Sequence, residues 1–179
     1  IQIAKTTKRV AQLRKMCEHW QQSSVGIAHT RWATHGAVTI DNAHPHFDQS
    51  GRFYLVHNGV IENAQTLKDT YLSEYTFTSE TDTEVIVQLI SYFVFQEKRS
   101  VDQAIKEVSR KLIGSFACVL MDQESPSELW VIKQKSPLWI GLGDEFQLIS
   151  SDRLGLGNHV SKAIRLPDDI EARLTALAN

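Results

Sequence analysis

Cysteine is scarce. Cys17 and Cys118 are the only two in 179 residues, too few for a disulfide framework, which predicts a reducing compartment, the cytoplasm by default. No sign of charge dominates. Nineteen Lys and Arg stand against 21 Asp and Glu, a formal net charge of −2, so nothing favours nucleic acid or an anionic membrane surface. No apolar run approaches the ~20 residues needed to span a bilayer, and no charged-then-apolar leader opens the chain. Internal repeats and low-complexity segments are lacking. No His-Glu-x-x-His or Cys-x-x-Cys pattern is present, although five of the seven histidines (His29, His35, His44, His46, His57) crowd one stretch, so no metal site is expected. Ser150-Ser151-Asp152 has no Gly-x-Ser-x-Gly elbow around it. Gly141 and Gly143 form a lone glycine pair that reads as a turn rather than a phosphate loop. No cofactor is implied. What remains is an ordinary globular composition, 42% hydrophobic and 22% charged, in a length that suits one domain.

Periodicity supplies the elements. Lys5 to Trp20 reads as an amphipathic helix with Val10, Leu13, Cys17 and Trp20 near one face, where Cys17 packs as a small hydrophobe. Val25 to Arg31 reads as a strand. Residues 33–49, polar and interrupted by Pro45, read as a long functional loop. Arg52 to His57 is a second strand, followed by Asn58-Gly59. That pair is either a hairpin turn or a tight turn into a short strand and a helix. Thr81 to Glu84 forms a capping box. The helix after it carries Val85, Ile86, Leu89, Ile90 and Phe93 on a core stripe, with Asp82 in the first turn complementing the dipole. Ser100 to Gln103 repeats the capping signal before a stripe of Val101, Ala104, Ile105, Val108 and Leu112, and Gly114 is expected to stop that helix. Four short strands follow, Ser115–Met121, Leu129–Lys133, Leu138–Ile140 and Phe146–Ser150, with Cys118 buried in the first. Residues 167–179 read as a short helix or a linker. Strands on both sides of a helical pair predict antiparallel sheet layered with helices, an α+β protein.

Chemistry is concentrated in a few stretches. Residues 26–36 read Gly-Ile-Ala-His-Thr-Arg-Trp-Ala-Thr-His-Gly: an apolar run opening into ionisable and aromatic residues. Arg31 offers a planar fork suited to a carboxylate. Asp82, at the mouth of a helix, can hold an ammonium. Asn58 and the Gly59 N–H can face a developing oxyanion. Carboxylate and ammonium at one end of a ligand describe an α-amino acid, and an oxyanion pair at the other describes acyl chemistry on its side chain. Taken singly, each residue also fits a surface ion pair or a turn.

Residues 26–36, Asn42-Ala-His-Pro-His46, Val56-His-Asn-Gly-Val-Ile-Glu-Asn63 and Ser79-Glu-Thr-Asp-Thr-Glu-Val-Ile86 resemble the class II glutamine amidotransferases. Within that class they look like the glutaminase domain of the glutamine–fructose-6-phosphate amidotransferase (glucosamine-6-phosphate synthase) family. Lys135-Ser-Pro-Leu138 and Ile149-Ser-Ser-Asp152 fit the same pattern. The resemblance implies a four-layer αββα N-terminal-nucleophile (Ntn) hydrolase fold, two stacked antiparallel sheets between helix layers. It implies that Arg31 binds the α-carboxylate of L-glutamine and Asp82 its α-amino group. Thr34 and His35 would add contacts, Trp32 would belong to a loop closing over the substrate, and Asn58 and Gly59 would form the oxyanion hole. In that family an N-terminal Cys attacks the carboxamide and ammonia passes to fructose 6-phosphate for amino-sugar synthesis. Residues 1–179 begin without that Cys. A fragment is therefore expected, lacking the strand with the nucleophile and the downstream sugar isomerase domain, inactive alone and a homo-oligomer when intact. Another class II amidotransferase and a non-catalytic amino-acid-binding module stand as alternatives.

Overall fold

The structure, a computed structural model, describes residues 1–32 and 36–175. A five-stranded antiparallel sheet forms its centre. It comprises β1 (His46–Phe47), β2 (Phe53–Ile61), β3 (Gly114–Asp122), β4 (Glu128–Gln134) and β8 (Ile170–Thr175), in the order β1-β2-β3-β4-β8. A second antiparallel sheet, β6-β5-β7, is built from β5 (Trp139–Leu142), β6 (Gln147–Ser150) and β7 (Lys162–Arg165).

Alternation along β2 and β3 divides the central sheet into two apolar faces. Phe53, Leu55, Ile61, Phe116, Cys118 and Leu120 join the larger core, together with α2 (Ala64–Tyr71), α3 (Asp82–Phe95) and α4 (Val101–Lys111). Val56, Ala117, Val119 and Val131 face the other way and meet Ile140 and Ile149 of the second sheet. Helices, sheet and sheet thus stack in successive layers, an α+β arrangement with the two stacked antiparallel sheets that the resemblance implies.

The helix signals hold with one modification. Ser100 and Gln103 make both halves of their capping box, and Ala104, Ile105, Val108 and Leu112 are buried. Thr81 accepts from the Glu84 N–H at 3.4 Å, but Glu84 does not return the bond. Its buried carboxylate instead accepts from the N–H groups of Thr78 at 2.8 Å and Ser79 at 2.6 Å, which fixes the approach to α3. Val85, Ile86, Leu89, Ile90 and Phe93 are buried as expected, as is Cys118.

Four expectations are corrected. The first helix is only α1 (Val10–Met16), and it buries no residue; Leu13 and Cys17 are half-buried. Residues 25–31 run irregularly without strand pairing. Residues 170–175 form β8 against β4, because alternating Ile170, Ala172 and Leu174 reach the inter-sheet core. Gly114 opens β3 rather than ending α4, whose C-cap is Leu112.

Candidate amino-acid-binding site

Asn58-Gly59 makes no turn. Strand β2 continues through it, pairing Asn58 with Ala117 and Gly59 with Phe116. The pair differs from ordinary strand in its backbone. Gly59 has φ +129°, and a Cβ there would collide with the Ser115 carbonyl. Two strands therefore approach at a glycine, and the Asn58–Gly59 peptide is rotated out of the regular pleat.

Asp82 lies beside this strand. Its Oδ2 accepts from the Ile61 N–H at 2.8 Å, tying the first turn of α3 to β2 three residues after Asn58. Its Oδ1 lies 3.8 Å from the His57 Nδ1, and the Asp82 side chain keeps 27% of its surface exposed. One carboxylate oxygen is thus committed to the fold while the group as a whole still meets solvent.

Arg31 approaches from the long loop. Its guanidinium donates to the carbonyls of Ala37 at 3.1 Å and Gly36 at 3.4 Å. The same loop is latched to the entrance of α3. The Ala37 N–H donates to Glu80 Oε2 at 3.2 Å, Asn42 Nδ2 donates to that oxygen at 3.1 Å, and the Glu80 N–H donates to Asn42 Oδ1 at 2.9 Å. Glu80 precedes Asp82 by two positions, so the latch connects the Arg31 loop to the carboxylate. Those bonds, with Arg31, hold the Glu80 carboxyl below its usual range. Trp32 is 90% exposed. Thr34 and His35 lie outside the described residues.

Histidines occupy the space between these elements. His29 stacks on His44 with ring centroids 4.0 Å apart, and His44 meets His46 edge-on at 4.9 Å. His46 Nε2 is 3.0 Å from Thr81 Oγ1, and His57 Nδ1 is 3.0 Å from Thr83 Oγ1. The His57 N–H donates to His44 Nδ1 at 3.3 Å, so that nitrogen carries no proton. Burial lowers the pKa of all four imidazoles, that of His46 to about 4; at His44 the other three histidines and Arg31 oppose positive charge further. The described residues contain no group of three or more His, Cys, Asp or Glu able to hold a metal.

The model of a glutamine amidotransferase domain matches residues 29–154, a span that includes Arg31, Asn58, Gly59 and Asp82. The chain belongs to the glutamine amidotransferase family. It is 48% identical over 168 residues to a glutamine–fructose-6-phosphate aminotransferase (isomerizing) of Lactiplantibacillus plantarum, covering 93% of this chain and 28% of that protein. A protein of the same name from Staphylococcus epidermidis is 50% identical over 149 residues, 83% of this chain and 25% of that one. The chain therefore spans about a quarter of the length of these relatives. Among solved structures, the glutamine phosphoribosylpyrophosphate amidotransferase of B. subtilis superposes with a TM-score of 0.60 at 26% identity, over 77% of this chain and 29% of that one. A predicted glutamine amidotransferase of Pseudomonas aeruginosa, 13% identical with a TM-score of 0.55 over 76% of this chain and 63% of that one, shares the fold.

Two features of this candidate site were not assigned from sequence. The Asn42–Glu80 latch joins residues 38 positions apart, and both sit inside the motif stretches, so motif membership was the available signal. The histidine stack was visible as crowding, but crowding alone does not distinguish a metal set from interlocked neutral rings.

Proposed function

We propose that this chain is the glutamine-recognising part of a glutamine–fructose-6-phosphate aminotransferase, releasing ammonia from L-glutamine for transfer to the sugar phosphate. Arg31 takes the α-carboxylate and Asp82 the α-ammonium. Trp32, Thr34 and His35 complete the enclosure. Asn58 Nδ2 and the Gly59 N–H stabilise the tetrahedral oxyanion on the side-chain carbonyl. Cys118 is unsuited to be the nucleophilic thiolate, since it is fully buried and burial pushes its thiol well up. The product acceptor is a sugar isomerase domain, the working enzyme is a homo-oligomer, and the compartment is the cytoplasm. No helix among the described residues is long and apolar enough to cross a membrane.

The observation that supports this reading most directly is the attachment of Asp82 to β2 at Ile61, three residues after Asn58. Asp82 and Asn58-Gly59 stand on adjoining elements, which supports reading the one as ammonium acceptor and the other as oxyanion donor. The test uses the full-length enzyme, with product formation followed from glutamine and from ammonia. Arg31→Ala removes a charge-assisted contact of roughly 1.5–3 kcal/mol, and glutamine KM rises by about 10- to 100-fold while ammonia supports the reaction as before. Unchanged glutamine kinetics would refute the assignment of Arg31.

A further inference from the structure

We propose that His29 is a positioning residue that sets the orientation of the Asn58 carboxamide; this rests on the oxyanion role given to Asn58. His29 Nε2 lies 2.7 Å from Asn58 Oδ1. Oδ1 only accepts, so Nε2 carries the proton and donates. With its oxygen held from that side, the carboxamide turns its Nδ2 the other way, from where an N–H can donate to an oxyanion. The alternative amide orientation would spend an Nδ2 proton on the ring and present a carbonyl oxygen to developing negative charge, which is repulsive.

Three observations support this arrangement. His29 Nδ1 is buried and has no hydrogen-bond partner. A bare acceptor nitrogen tolerates that far better than an orphaned N–H, which favours the tautomer with its proton on Nε2. The ring cannot easily swing away, because His44 stacks on it with an interplanar angle of 19°. His44 is in turn fixed by the backbone N–H of His57, the residue immediately before Asn58. The ring that orients Asn58 is therefore referenced to the strand that carries Asn58. Burial also favours the neutral ring, opposed by contacts with the Asn58 side chain and the His57 backbone.

This bond contacts the bound amino acid only through Asn58. Its loss therefore acts on the step in which the oxyanion forms more than on binding of the amino-acid head. The experiment measures glutamine hydrolysis by the full-length enzyme carrying His29→Ala, His29→Gln, Asn58→Ala, or His29→Ala with Asn58→Ala. For His29→Ala, kcat is expected to fall about 10- to 100-fold, with glutamine KM within about threefold of the parent. His29→Gln, whose Nε2 can donate from nearly the same place, recovers at least part of that loss. In the Asn58→Ala background, His29→Ala costs less than about threefold more, because the group it orients is gone.

An unchanged kcat in His29→Ala overturns the proposal. So does a loss as large in the Asn58→Ala background as in the parent, or a change confined to KM. If His29→Ala fails to fold, His29→Gln still decides: a folded Gln variant with kcat as low as that of Asn58→Ala counts against positioning by an N–H donor. If Asn58→Ala itself hydrolyses glutamine normally, the oxyanion reading fails, an outcome distinct from failure of the His29 assignment alone.

Discussion

The two faces of the central sheet are built to different standards. On the helix side, Leu89, Ile90, Ile86, Phe53 and Ala104 are fully buried in one continuous core. On the other side, a smaller apolar cluster joins the second sheet, beside a cleft of about 620 Å³ lined by Val56, Val119, Leu129, Ile149 and Leu174 and by residues 24–28. The strand and helix that hold Asn58 and Asp82 belong to the dense half, whereas Arg31 donates to carbonyls of the loop that latches to Glu80. Under the proposed reading, the residues assigned to the oxyanion and the ammonium stand on packed elements, and the residue assigned to the carboxylate stands on a loop.

Truncating the dense half gives the largest effect. Leu89→Ala removes a side chain with 0% exposure and is expected to cost about 2–5 kcal/mol in urea unfolding. Ile149→Ala, half-buried beside the cleft, is expected to cost about 1 kcal/mol, because less contact is lost. Equal costs would erase the distinction between the two faces.

Acid should act on the boundary between them. The cluster imidazoles are held neutral in the folded protein, so below the ordinary histidine pKa of 6.5 the unfolded chain binds more protons. Their contribution is therefore complete above pH 6.5 and is lost as pH falls, for His46 down to about 4. Within that window each such histidine adds a slope of up to about 1.4 kcal/mol per pH unit. Hydrogen exchange between pH 7 and 4.5 is expected to show residues 36–46 losing protection before residues 85–93. Simultaneous loss, or a flat stability profile, would contradict this.

The smallest contrast concerns the helices. Ser100→Ala breaks a complete capping box on a packed helix and is expected to cost about 1 kcal/mol. Val10→Ala in α1, where no residue is buried, is expected to change stability by less than about 0.5 kcal/mol, measured in the same urea titration.

The helices of the dense half were legible because their signals are local. A cap three residues from its partner and an apolar stripe at 3.6-residue spacing need no knowledge of the rest of the chain. The same reasoning over-extended the first helix: Val10, Leu13, Cys17 and Trp20 have the right period, yet α1 stops at Met16 and buries nothing. A periodic stripe predicts a helix only where another surface is present to receive it. Residues 170–175 failed in the opposite direction, since their modest alternation becomes a strand only when β4 offers an edge.

The identities of Arg31, Asn58, Gly59 and Asp82, the family they belong to and the core stripes of α3 and α4 were determined by the sequence alone, because each is a matter of residue type at short spacing. Tertiary structure decided that Asn58-Gly59 runs through mid-strand rather than turning, that Glu80 latches to Asn42 and that four histidines interlock as neutral rings behind the site. Those outcomes depend on partners tens of residues away, whose carbonyls, ring faces and burial exist only once the sheet has assembled.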